Sequence, residues 1–501
     1  MDALPPEIHW NIFMMNTERD NKTLEMYIPD SADHRLDTAR NCSQVCRLWR
    51  ALLLQLSSVW GRLLHLQNLE HTTDAWREAV ASRIGEASLW ITGEVTDSTR
   101  PFIFPILEEK WQNVQVLEIS DESLFSNKVL PTWSFLEKEA PKLELFRLSA
   151  HMVDAIGLEL EVPMHILPFS PLFGNTAPRL KIFTLEEAFH LSLPAPWMAN
   201  LHSVTFYKPQ NGPLLLSALK SMPLLRELDV YGGNALQPMF SAQDGDLDKP
   251  HLPLLESLTL DPFYYPMDMI LLLESITLPP GQRLLRKLVI PEVFKDHQRV
   301  HCAVTKWIHA YMSASPPRHL SLSADYQRIL TLEDIRDIGS GEGMRVDIVL
   351  DDTQSHVTIE EIAASLRYSV VEELDVALTD SDFARPLRPL FAVLQSVTRL
   401  TVDGHHLEPL FHVMLQFSLF PNLHTIYFRG TSLHPDRNNC EEANTLATLK
   451  RFLEHRVQIG SPVSVLDLSS VHLTALPNNL NMERLIQIPG LSVVLPEDRK
   501  V

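Results

Sequence analysis

Residues 253–260 read PLLESLTL, and the same frame returns as PKLELFRL at 141–148, PRLKIFTL at 178–185, PLLRELDV at 223–230 and PNLHTIYF at 421–428. The order is apolar, two variable, apolar, one variable, apolar, with a proline two residues ahead. Copies start at Val114, Leu143, Leu180, Leu201, Leu225, Leu255, Leu285, Val371, Val397, Leu423 and Val463, and two degenerate ones lie near Pro317 and Val346. These thirteen starts are about 29 residues apart on average, which is the spacing of stacked repeats. The alternating apolar end of each copy predicts a short strand. Between copies, Leu214–Leu219, Met269–Ile276, Val300–Met312, Ile359–Leu366 and Leu407–Leu415 carry apolar stripes of helical length. Each repeat therefore reads as one strand plus one helix or turn. Such a unit cannot bury both faces alone, so neighbours must stack. The expected fold is α/β: a solenoid with a parallel inner sheet and outer helices over residues 87–501.

Side chains alternate across a strand, so the apolar template positions face the core and the residues between them face solvent on the inner sheet. Those positions hold Glu227, Asp229 and Tyr231, then Thr259 and Asp261, then Glu373 and Asp375. Farther along come Arg399, Thr401 and Asp403, then Thr425, Tyr427 and Arg429. The candidate target-binding residues are Glu227, Asp229, Tyr231, Asp261, Glu373, Asp375, Arg399, Tyr427 and Arg429. The acidity of the first part predicts a partner segment carrying Lys or Arg, held in a salt-sensitive way.

Composition narrows the rest. The 501 residues carry 43 basic and 63 acidic side chains, a formal charge of -20, and most of that excess lies beyond residue 66. No basic stripe is present to displace counterions from a nucleic acid, and an anionic membrane is disfavoured for the same reason. Leu accounts for 80 residues, whereas Gly is scarce at 17 and Pro abundant at 35, which favours many short elements punctuated by proline over Gly-rich phosphate loops. Four cysteines do not make a disulfide framework, so reduced thiols and a cytoplasmic or nuclear location are expected. The start, MDALPPEIHW, lacks the basic and apolar regions of a signal peptide, and no apolar run approaches the roughly 20 residues that span a bilayer.

Residues 1–66 follow a different pattern. Leu4-Pro5-Pro6-Glu7 opens a helix, with prolines suited to the first turn and Glu7 complementing the dipole. Ile8, Ile12 and Met15 recur at helical spacing with Phe13 beside them. After a polar stretch, Leu36, Ala39, Cys42, Cys46 and Trp49 form a second stripe, widened by Val45 and Leu52, and Leu56–Leu66 carries Trp60. Cys42 and Cys46 read as buried thiols acting as small hydrophobes. Residues 67–86 read as a connecting helix.

LPPEIHWNIF followed by CSQVCRLWRALLLQLSSVWGRLL resembles an F-box. That family opens on Leu-Pro-x-Glu-Ile, continues in a Val-Cys-Arg-x-Trp-Arg helix and closes on a Ser-x-x-Leu-Trp segment. Here Leu4, Pro5, Glu7, Ile8, Ile12 and Phe13, then Val45, Cys46, Arg47, Trp49 and Arg50, then Ser57, Val59 and Trp60 stand at those places. The chain departs from the family in a longer Met14–Leu36 connection and in Val59 where Leu is common. The whole layout resembles a fungal-type F-box protein with divergent leucine-rich repeats. The Asn that usually follows the repeat strand is missing from nearly every copy, which favours irregular curvature and long loops at Gly157–Ala177, Gly232–Pro250 and Gly430–Asn439. The resemblance implies an adaptor-binding face of Leu4, Pro5, Glu7, Ile8, Ile12, Val45, Trp49 and Trp60, docked to the Skp-type adaptor of a cullin-RING ubiquitin ligase.

No catalytic constellation stands out. There is no Gly-x-Ser-x-Gly elbow and no His-Glu-x-x-His pair. The GSGEG stretch at Gly339–Gly343 follows a helical pattern and precedes a strand, the reverse of a phosphate loop, so it reads as a helix-ending turn. His405, His406 and His412 are near neighbours among 21 histidines, and the acidic pairs Glu186-Glu187 and Asp351-Asp352 are solvated faces. The expected function is that of a non-enzymatic, cofactor-free substrate-recognition subunit, with the repeats holding a target protein. The alternative is a repeat scaffold outside ubiquitin chemistry, whose F-box-like helices cap the solenoid.

Overall fold

The computed structural model describes residues 5–17, 35–121, 133–149, 171–185, 194–207, 209, 211–233, 238–241, 247, 249–263, 265–277, 285–290, 297–314, 316–324, 329–335, 344–349, 359–360, 362–363, 370–378, 384–403, 407–429, 442–470 and 485–495. The polypeptide is mixed α/β and divides into two compact units, Met1–Leu228 with Asp246–Leu254, and Asp229–Gly245 with Leu255–Val501. Among the described residues no helix is long and apolar enough to cross a membrane.

The first unit begins with helices. In α1 (Pro6–Met15) the proline occupies the first turn, where its missing N–H costs nothing. The expected second stripe does not run through as one helix. It divides into α2 (Arg35–Val45) and α3 (Arg47–Gln55), because Cys46 is extended at φ −157°, ψ 166° and its Sγ caps α3 by accepting from the Trp49 N–H at 3.4 Å. Cys46 is consequently exposed and Cys42 half-buried, not the buried pair that their spacing suggested. A short α4 (Ser57–Gly61) follows. A Cβ on Gly61 would stand 2.6 Å from the Ser88 carbonyl, so glycine alone permits this approach. Phe13, Met14, Leu36, Ala39, Leu53, Val59 and Trp60 make the helical core.

The chain then enters a sheet. Strand β1 (Leu64–His65), helices α5 (Leu66–Glu70) and α6 (Asp74–Ile84), strand β2 (Leu89–Glu94), helix α7 (Arg100–Lys110) and strands β3 (Val114–Ser120), β4 (Leu145–Ser149), β5 (Ile182–Leu185) and β6 (Ser203–Tyr207) come in order. Helix α8 (Gly212–Lys220) and strand β7 (Glu227–Gly233) follow. From β1 to β6 each strand pairs in parallel with the next. One polar row crosses the ladder as Glu118, Arg147, Thr184 and Thr205 in register. Between strands the chain uses short 3-10 turns at Trp111–Asn113, Ser134–Glu137, Leu172–Asn175 and Pro196–Asn200. Each turn buries one aromatic ring, Trp111, Phe135, Phe173 and Trp197, and these rings touch: Trp111–Phe135 at 5.1 Å, Trp111–Phe173 at 6.3 Å and Phe173–Trp197 at 5.4 Å. Tilted, stacked and edge-on pairs of this kind add about 0.5–1.5 kcal/mol each beyond the area they bury. Aromatic turns thus form the second half of these repeats, the turn option of the expected strand-plus-helix-or-turn unit.

The second unit holds β8 (Ser257–Phe263), α9 (Pro266–Ser275), β9 (Leu285–Ile290), α10 (His297–Ala314), β10 (His319–Ala324), β11 (Ile329–Asp334), β12 (Arg345–Val349) and β13 (Glu373–Leu378). It continues with α11 (Arg388–Val393), β14 (Arg399–Asp403), α12 (Leu407–Phe417), β15 (Thr425–Phe428), α13 (Glu442–Gln458), β16 (Val465–Asp467) and β17 (Ser492–Val494). From β13 to β17 consecutive strands again pair in parallel. The two degenerate copies are β10 and β12, and their region breaks the simple order. The spatial sequence is β8, β9, β12, β11, β10, β13, with β11 antiparallel to both neighbours and every other pair parallel.

All eleven clear copies carry a strand. In most, the first apolar residue sits two positions ahead of the strand and is buried, as at Leu143, Leu180, Leu201, Leu255, Val371 and Val397. Burying each such side chain contributes about 1.5–3 kcal/mol. The helical stripes appear as α8, α9, α10 and α12; of Ile359–Leu366, four residues are described and all four are helical. Residues 430–439, 339–343, 405–406, 186–187, 351–352, most of 157–177 and part of 232–250 lie outside the described residues.

Candidate functional site

Two surfaces stand out, one in each unit. The first is built on α1, α2 and α3. Fourteen large apolar side chains are exposed among the described residues, and seven belong to these three helices: Ile8, Trp10, Ile12, Met15, Val45, Leu48 and Leu54. Ile8 is 42% exposed and Val45 57%. The cause is local. His9 and Phe13 turn the other face of α1 inward, where Phe13 meets Trp49 edge-on at 5.2 Å, so the remaining apolar positions of α1 face outward. These seven side chains put half of the exposed large apolar residues among the described ones on three short helices.

Of the expected adaptor-binding residues, Pro5, Glu7, Ile8, Ile12 and Val45 are exposed, and Trp49 is half-buried between His9 and Phe13. Trp60 is a core residue, 1% exposed, with its indole N–H donated to the Leu53 carbonyl at 2.8 Å and its ring edge-on to Trp76. Leu4 lies outside the described residues. Trp10, Met15, Leu48 and Leu54 were missed, although Trp10 and Met15 continue the outer face of α1 in the sequence.

The second surface is the polar face of β10, β13, β14 and β15. Register brings Ser321, Asp375 and Thr401 into one row, and His319, Glu373 and Arg399 into the next. Asp375 is 6% exposed, not solvent-facing as its template position suggested. Its two oxygens are taken up by His319 Nε2 and an Arg429 terminal nitrogen, each 3.0 Å away. His319 Nδ1 is 3.9 Å from Glu373. Hydrogen bonding to Asp375 raises the imidazole above the ordinary histidine value, against the opposing effect of burial. Burial pushes Asp375 up, but His319, Thr401 and Arg429 outweigh it and hold the carboxyl below the usual aspartate value. Beside them the Arg399 guanidinium lies 5.5 Å from the Tyr427 ring centre, and the Tyr427 hydroxyl is hydrogen-bonded to Ser470.

Glu373, Asp375, Arg399, Tyr427 and Arg429 are therefore gathered on adjacent strands. Asp261, on β8, is not with them. Four strands intervene before β13, about 24 Å at the usual strand spacing. Glu227 is exposed, and Asp229 and Tyr231 are half-buried on β7. Thr259 and Thr401, expected in solvent, are buried. Of the acidic residues expected there, Asp375 is compensated by His319 and Arg429, and Glu373 lies 3.9 Å from His319. Sequence reading missed His319, which sits in one of the degenerate copies. Among the described residues no group of three or more His, Cys, Asp or Glu is placed to hold a metal ion. No protein-family model and no curated protein matches the chain.

Proposed function

We propose that this chain is a substrate-recognition subunit of an SCF-type cullin-RING ubiquitin ligase. In this reading α1–α4 act as an F-box that docks a Skp-type adaptor, and the strand repeats form a divergent leucine-rich-repeat solenoid that holds the target protein. The chain does no chemistry itself; it raises the local concentration of target at the ligase. The observation that carries the reading is the concentration of exposed apolar side chains on α1–α3, three of which, Ile8, Ile12 and Val45, stand where the F-box resemblance puts adaptor contacts. Supporting it, a strand recurs at each repeat of the sequence frame.

The test is capture of a purified Skp-type adaptor by the full chain and by an Ile8→Lys, Val45→Glu double variant. Both positions are exposed, so the fold should survive, as circular dichroism would show. Loss of two central anchors should weaken binding by roughly thirtyfold or more. Equal capture by the folded variant overturns the assignment of this face.

A second reading has its own observation. Strand β1 pairs with β2, and Leu64, Leu66 and Leu69 are fully buried, so the helical segment also closes one end of its unit's ladder, as a capping scaffold requires. Deleting residues 1–66 does not separate the readings, because the cut removes β1 and bares the edge of β2 in either case. The surface double variant separates them, since a cap without a docking role binds no adaptor to begin with.

A further inference from the structure

Between α1 and the corner joining α3 to α4 lies a cleft of about 270 Å³, lined by Glu7, His9, Trp10, Leu52 and Leu56. Its walls are mostly apolar, but its composition is not that of a seat for a leucine. Glu7 is its one acidic group, exposed, and no cation pairs with it among the described residues. His9 is 2% exposed, and its Nε2 is buried without a hydrogen-bond partner. An orphaned buried nitrogen costs about 1–3 kcal/mol, so the fold carries a cost here that an incoming donor would relieve. Trp10 is held by an indole hydrogen bond to Ser58 Oγ at 3.2 Å, leaving its ring as one wall.

We infer that this cleft takes an arginine side chain of the docking partner. The inference rests on the reading of α1–α4 as an interface. An arginine matches each feature in turn. Its methylene stem covers Leu52 and Leu56 while its head stays near water. The flat guanidinium stacks on Trp10. Its forked N–H donors reach Glu7 as a charge-assisted pair and come to lie beside His9, whose Nε2 has no partner. A lysine offers no plane to stack, and an apolar side chain leaves both Glu7 and His9 unanswered.

The test uses the full chain labelled at tryptophan indole nitrogens, with Trp10 identified through Trp10→Phe. N-acetyl-arginine methylamide and N-acetyl-norleucine methylamide, which share a stem and differ in the head group, are titrated separately. The arginine probe is expected to shift the Trp10 indole saturably and to bind roughly tenfold more tightly than the norleucine probe, the worth of one charge-assisted hydrogen bond. In Glu7→Gln, an exposed substitution, that preference should vanish. Norleucine binding equally or better, an arginine preference that survives Glu7→Gln, or no saturable shift with either probe overturns the inference. Adaptor capture is read separately. Lost capture with an intact arginine preference overturns the docking reading and leaves the cleft, whereas the reverse overturns the cleft alone.

Discussion

Replacing Asp375 by Asn removes the charge at the centre of the β10–β15 polar network while keeping its shape. Breaking a fully buried pair by removing one partner costs about 3–5 kcal/mol, because the other charge is stranded. Here the partners are not stranded: the His319 side chain is 24% exposed and that of Arg429 53%, so water takes over much of what they lose. The expected cost is therefore about 1–2 kcal/mol. It should depend on pH in a definite way. His319 is raised on folding, so its share of stability is complete below the ordinary value of 6.5 and fades as pH climbs through the folded value. Asp375 is lowered, so its share is complete above 3.8 and fades as pH falls through the folded value. The penalty of Asp375→Asn should thus be greatest between 3.8 and 6.5, and should shrink at higher pH toward what Arg429 alone supplies. A chain of two compact units has no single unfolding free energy. The assay is therefore local: amide hydrogen exchange in β13 and β14, with the His319 imidazole followed by NMR. A tenfold loss of protection corresponds to about 1.4 kcal/mol. The reasoning fails if His319 titrates at 6.5 in both proteins, or if the penalty grows as pH rises above neutrality.

Trp60→Ala should cost about 3–5 kcal/mol as a buried truncation, whereas Ile12→Ala, at an exposed position, should stay within about 1 kcal/mol; amide hydrogen exchange in α1, α3 and α4 of the two variants tests the division of the helical cluster into core and face. Cys46→Ala should cost about 1 kcal/mol through loss of the α3 cap and Cys46→Ser should not, a contrast that helix-region hydrogen exchange would reveal. With an alkylating reagent, Cys46 and Cys302 should be modified faster than Cys42, whose thiol burial pushes up; mass-spectrometric mapping of early adducts reads the order.

Much of the strand pattern was open to reading because it is local. The frame at Leu143, Leu180 or Leu255 needs only its own eight residues to announce a strand, and the strand is there. What escaped depends on residues far apart or on unusual choices. Nothing near Asp375 announces that His319 and Arg429, each more than fifty positions away, will enclose it. Asp375 and Asp229 hold the same place in the frame, yet one is buried and the other half-buried. The helix break at Cys46 was hidden because cysteine is a rare cap and its position continues the apolar stripe of Cys42 and Trp49. The aromatic turns at Trp111, Phe135, Phe173 and Trp197 were individually visible as apolar residues. Their common role was not, since only the folded ladder brings them into one row. Of the docking face, Ile8, Ile12 and Val45 were legible from the resemblance and Trp60 was misjudged, because a family motif does not separate residues that hold the module from those that meet a partner.

The exchange of places among β10, β11 and β12 has a consequence for how the chain is made. Elsewhere in its unit, as from β13 onward, each new strand finds its predecessor's edge waiting, so growth follows the order of synthesis. At β9 that rule gives the wrong answer. When β10 leaves the ribosome, the free edge of β9 is its nearest template, and a parallel pairing there would resemble every neighbouring step. The native seat belongs to β12, which emerges later and must arrive with β11 folded back between. The second unit therefore cannot complete itself by simple accretion. It must hold β9 open, or undo an early mispairing, until residue 349 has been made, and this step is where a delay or a chaperone's grip would matter most.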